Sequence, residues 1–135
     1  MKPLSRACIR VALLTAMAGC GGPQPTPGGT AGILHSGATG LSEIQVTVHQ
    51  RQGTDFQPIG FGVPSASGEF RLVGNGASGP LVLEPGEYRC TLESIGAPLQ
   101  IPGEYTKADT SPLKISWSAS DRTLDINLPP LQQLK

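Results

Sequence analysis

Glycine and proline interrupt this sequence again and again, and between the interruptions apolar and polar side chains alternate one by one. The chain holds 18 glycines and 13 prolines among 135 residues, roughly twice the usual share. Proline lacks an amide hydrogen and glycine loses the most freedom on ordering, so short elements joined by turns are expected in place of long helices. Ile44, Val46 and Val48 alternate with Gln45, Thr47 and His49, which predicts a half-buried strand. The same period of two predicts strands over Ala31 to His35, Gln57 to Val63, around Phe70 and Leu72, over Tyr88, Cys90 and Leu92, over Leu113, Ile115 and Trp117, and over Leu124, Ile126 and Leu128. No segment sustains an apolar period of 3.6. About seven short strands separated by turns point to an all-β sandwich. Aromatic residues are only 4% of the chain, so the core is expected to consist mainly of Leu, Ile and Val.

Two runs share one pattern, Gly68-Glu69-Phe70-Arg71-Leu72 and Gly86-Glu87-Tyr88-Arg89-Cys90. The aromatic is expected to face inward with Glu and Arg outside. Antiparallel pairing of the two would set Glu69 against Arg89 and Glu87 against Arg71. The polar run Ser118 to Arg122 reads as a hairpin connection between the last two strands.

The N-terminus reads as an address. Lys2, Arg6 and Arg10 precede the apolar run Val11 to Ala18, which is far shorter than the roughly 20 residues of a membrane-spanning helix. Met17-Ala18-Gly19-Cys20 follows and resembles the lipobox of bacterial lipoproteins, in which the chain is cut before the cysteine and the cysteine is acylated. Residues 1–19 are then a signal peptide, Cys20 the lipidation site, residues 20–29 a Gly/Pro tether and residues 30–135 the sandwich. Several acyl chains on one residue would anchor the protein stably.

Charge changes with that reading. Lys plus Arg and Asp plus Glu number 10 each, so no excess points to nucleic acid. Loss of Lys2, Arg6 and Arg10 leaves seven basic against ten acidic side chains, a net charge near −3. Cys8 leaves as well and Cys20 carries lipid, so Cys90 alone remains and the mature domain is expected to have no internal disulfide.

Several runs together resemble the carboxypeptidase regulatory-like, or transthyretin-like, domains. Gly32-Ile33-Leu34, turns through Gly37 and Gly40, and Ile44 to Val48 look like that family's first hairpin. Ser67-Gly68-Glu69-Phe70 resembles its Asp-x-x-Gly-x-Phe element, with serines Ser65 and Ser67 where an acidic residue is usual. Leu83-Glu84-Pro85-Gly86-Glu87-Tyr88 resembles its Leu-x-Pro-Gly-x-Tyr strand. Ile101-Pro102-Gly103-Glu104-Tyr105 followed by Thr110-Ser111-Pro112-Leu113 looks like a group of small bacterial lipoproteins built on this domain. The resemblance covers about Thr30 to Leu128 and implies an immunoglobulin-like sandwich. The hydrolase branch of this fold carries clustered His and Arg and a terminal Tyr-Arg-Gly-Ser, which the ending Leu131-Gln132-Gln133-Leu134-Lys135 lacks.

Motifs for chemistry are sparse. His35 and His49 are the only histidines, both read as strand ends, with no third metal ligand at a recognisable spacing. Asp109, Asp121 and Asp125 do not form a compact calcium loop. Ser111-Pro112-Leu113-Lys114 spells S-x-x-K, but that pattern needs a helix where a strand is expected. No metal, cofactor or catalytic group is expected. The long loop from Ala97 to Pro112 is the candidate binding element, with Ile101, Tyr105, Thr110 and Ser111 as its contact residues; capping of the sandwich end is the competing role. The expectation is a non-enzymatic, lipid-anchored protein of the bacterial cell envelope, outer membrane first, facing the periplasm or the cell surface. Its partner would be an envelope protein or a polysaccharide. The alternative is a carbohydrate-binding module that uses an exposed Trp117 or Tyr105.

Overall fold

Each alternating run has one apolar side, and a lone sheet would leave that side in water; two sheets laid face to face remove it. The structure, a computed structural model, describes residues 29–133. The signal segment, Cys20 and the tether up to residue 28 lie outside the described residues. The strands are β1 (Ala31–Ser36), β2 (Thr39–Gly40), β3 (Ile44–Gln52), β4 (Asp55–Gly62), β5 (Glu69–Arg71), β6 (Val73–Gly74), β7 (Gly86–Ser94), β8 (Lys114–Trp117) and β9 (Thr123–Asn127). Seven of them have three residues or more. Single 3-10 turns occupy Asn75–Ala77 and Gly103–Thr106. Among the described residues no helix is long and apolar enough to cross a membrane.

The first sheet is built on β1. One of its edges carries β5 along its first half and β2 at its end, both antiparallel, while β9 runs parallel along the other edge. The second sheet is antiparallel, in the order β6-β4-β3-β7-β8. Between them lie Leu34, Leu72, Leu124 and Ile126 from the first side and Ile44, Val46, Val48, Tyr88, Cys90 and Leu92 from the second, all buried. The all-β sandwich expected from the alternation is therefore the fold, and Leu, Ile and Val dominate its core, with Phe70, Tyr88, Tyr105 and Trp117 among them.

Four local readings are corrected. β5 and β7 do not pair: β5 lies against β1 in one sheet and β7 between β3 and β8 in the other, so Glu69 and Arg89 belong to different sheets, as do Glu87 and Arg71. Ser118 to Arg122 is not a hairpin, because β8 joins β7 while β9 crosses to β1. The opening segment is likewise not a hairpin of β1 with β3. Instead β1 folds onto β2, and the chain then crosses to the second sheet before β3. His49 sits inside β3, not at its end. It borders a bulge between Val48 and His49, opposite Pro58 of β4, where a residue without an amide hydrogen is tolerated.

Two glycines explain how the sheets close. Gly32 is paired with Phe70, whose ring fills the space that a β-carbon on Gly32 would need and also lies against Gly62 of β4. Gly68 has φ of 91°, in the left-handed region, and a β-carbon there would run into the Leu34 carbonyl and the Gly40 α-carbon. That approach lets the Gly68 carbonyl accept from the Leu34 amide at 2.8 Å. At the start of β7 the Tyr88 hydroxyl donates to the Glu84 carbonyl at 2.6 Å, the geometry of a tyrosine corner.

Candidate functional site

The loop that the sequence singles out is fastened to the sandwich at several points. Tyr105 is buried on the 3-10 turn Gly103–Thr106, and Ile101 is half-buried against the core. Thr110 is exposed, with its hydroxyl donating to the Glu104 carbonyl at 2.8 Å. Ser111 is 1% exposed. Its hydroxyl donates to the Cys90 carbonyl at 2.5 Å and accepts from the Leu113 amide at 3.1 Å. Arg89 reaches over to donate to the Ala108 carbonyl at 2.7 Å. The start of the loop is tied to the C-terminal segment by the Gln100 amide on the Gln132 carbonyl at 2.8 Å. Tyr105 and Ser111 are therefore packing residues, and of the four candidates only Thr110 faces solvent openly. Trp117 is also buried, at the end of β8. Neither aromatic has the open ring face that stacking on a sugar requires.

The histidines occupy two different environments. His35, on the outer face of β1, places Nε2 2.6 Å from Asp125 Oδ1 on β9 and Nδ1 2.7 Å from the Gly37 carbonyl. The hydrogen bonds to Asp125 and Gly37 raise its pKa above 6.5. The neighbouring Gly37 amide donates to Asn127 Oδ1 at 3.1 Å, so the turn after β1 is held to β9 twice. His49 on β3 reaches diagonally to Thr91 on the neighbouring β7, with Nε2 2.9 Å from its hydroxyl and a buried, unpartnered Nδ1. Burial holds its pKa below 6.5. Among the described residues no three of His, Cys, Asp and Glu gather at metal-binding range. The Cys90 thiol is buried, and desolvation pushes its pKa up to about 12, the condition of an inert thiol.

The outer face of the second sheet assembles a group that no motif announces. Arg51 pairs with Phe56 across β3 and β4, His49 with Arg89 across β3 and β7, and Arg89 with Lys114 across β7 and β8. Alternation already places Arg89 and Lys114 on outward positions, since Cys90 and Ile115 take the inward ones. Their convergence depends on strand order, which alternation does not encode. A hollow of about 200 Å³ lies beside them.

Fold and site define an all-β sandwich with a fastened loop and three cations gathered on the outer face of its second sheet. No protein-family model, curated protein or solved structure matches the chain.

Proposed function

We propose that this is a lipid-anchored module of the bacterial cell envelope, a carboxypeptidase regulatory-like sandwich that binds a partner and carries out no chemistry of its own. The observation that carries the reading is the N-terminal run: three cations, a short apolar stretch and Met17-Ala18-Gly19-Cys20. The first core strand begins at Ala31, and the nine steps from Cys20 to Gly29 reach at most about 30 Å. The sandwich would thus work close to the membrane surface. The Gly68-x-Phe70 turn and the Tyr88 corner support the domain resemblance, because Gly68, Phe70 and Tyr88 each have a packing task in the fold. The inert Cys90 and the separately engaged histidines favour binding over turnover.

The test is expression in a Gram-negative host with radiolabelled palmitate. The native chain should take up label and sediment with membranes, and Cys20→Ser should do neither. Membrane retention of Cys20→Ser, or absence of label on the native chain, overturns the anchor.

A further inference from the structure

Cations are few in this chain, and three of them meet on one face. Arg51 stands late in β3, Arg89 early in β7 and Lys114 at the start of β8, with the strands adjacent in the order β3-β7-β8. The Phe56 ring centre lies 5.1 Å from the guanidinium carbon of Arg51 and 4.7 Å from that of Arg89. One ring is therefore shared by two guanidinium groups. Cation–π attraction orients such groups without neutralising them. Among the described residues the only close acid–base pair is His35 with Asp125, so none of the three cations is paired with a carboxylate. Glu87 lines the same hollow, opposite Ser116, and forms no ion pair there.

Like charges on neighbouring strands repel, and an unpaired cluster of this kind is relieved by an anion between its members. Arg89 is pre-oriented by its bond to the Ala108 carbonyl, which leaves most of its five N–H donors free. The Ser116 hydroxyl on the wall of the hollow adds a neutral donor.

We propose that the outer face of the second sheet is a phosphate site in which Arg51, Arg89 and Lys114 surround the phosphoryl group of a phosphate monoester. A phosphate monoester carries close to two charges and three acceptor oxygens. That matches three cations projecting from three strands better than a planar carboxylate, which a single arginine fork satisfies. The group can come from a soluble phosphate ester or from a lipid headgroup. All of its ligands belong to the sandwich, so the site stands or falls separately from the anchor.

The test uses the full chain carrying Cys20→Ser, so that no acyl chain contributes. Glycerol 3-phosphate, inorganic phosphate and, as a carboxylate control, galacturonate are titrated by calorimetry, and flotation is measured with phosphatidylcholine vesicles with and without phosphatidic acid. Saturable binding is expected, with Arg51→Gln and Lys114→Gln each weakening it roughly tenfold while the thermal midpoint holds and Arg122→Gln leaves affinity unchanged. Competition of glycerol 3-phosphate with phosphatidic acid vesicles supports the site and marks it as open to soluble esters. Capture by phosphatidic acid vesicles that resists the ester, but is lost in Arg51→Gln and Lys114→Gln, supports it and marks the headgroup. Equal losses in Arg51→Gln, Lys114→Gln and Arg122→Gln, no saturable binding of any probe, or galacturonate binding as tightly as phosphate would each overturn it.

Discussion

Phe70 and Gly32 face each other across the β1–β5 ladder, and the ring of one occupies the space that the other leaves by having no side chain. The same ring reaches Gly62 on the opposite sheet. A single aromatic thus sets the spacing of the two sheets at this point, and both glycines are required for its volume.

Gly32→Ala should therefore overpack the core and cost about 1–3 kcal/mol. Urea unfolding of the single and double variants with Phe70→Leu would measure it. The cost of Gly32→Ala should shrink in the Phe70→Leu background, because the smaller side chain removes the clash. Equal costs in both backgrounds would show that the ring is not what excludes a β-carbon there.

The pairing of β1 with β9 should strengthen toward acid. Both ring nitrogens of His35 face oxygen acceptors, and only the doubly protonated ring donates at both. Its pKa is raised in the folded state, so its contribution is complete below 6.5 and fades as pH rises through the folded value. His49 acts in the opposite sense: its lowered pKa gives a contribution present above 6.5 and lost as pH falls through the folded value. Comparing native chain with Asp125→Asn isolates His35. The difference in unfolding midpoint should be larger at about pH 5.5 than at about pH 9. In NMR titrations His35 should have its midpoint above that of a free histidine, and His49 below.

Cys90 should resist thiol reagents until the sandwich opens. In a chain with Cys8→Ser and Cys20→Ser it is the only thiol, and a pKa near 12 lowers its thiolate fraction by roughly a thousandfold, before burial is added. Ellman's reagent should leave the native chain unmodified and react promptly in concentrated urea. Prompt reaction in buffer would mean that β7 opens far more often than its packing implies.

Removing the Ser111 hydroxyl should loosen the loop by freeing the Leu113 amide and the Cys90 carbonyl. Ser111→Ala is expected to cost about 1–3 kcal/mol, and hydrogen exchange should rise first at Leu113. Thr110→Ala, at an exposed position, should stay within about 0.5 kcal/mol of the native chain.

Much of this architecture was legible along the chain. Ile44, Val46 and Val48, then Tyr88, Cys90 and Leu92, then Leu124 and Ile126 are all inward in the fold as their alternation predicts, because the pleat of a strand sends successive side chains to opposite faces whatever its neighbours are. Burial of Trp117 and Cys90 follows from the same local rule. Alternation assigns a face but not a partner, however. The shared pattern around Phe70 and Tyr88 suggested that β5 and β7 pair, and the polar run before β9 suggested a hairpin; neither is so.

Partner choice was decided by contacts between residues far apart in the chain. Phe70 needs the empty space over Gly32, which draws β5 to β1. Parallel pairing of β9 with β1 turns Leu124 and Ile126 into part of the first sheet's buried inner face. Strand order in turn creates the cation-bearing face, since Arg51, Arg89 and Lys114 become neighbours only when β3, β7 and β8 lie side by side. The sequence by itself determined which residues form strands and which side of each is apolar, because those depend on the local backbone pleat. The order of the strands and the face where the cations meet came only from tertiary structure, because they depend on complementary volumes that meet after the chain has folded.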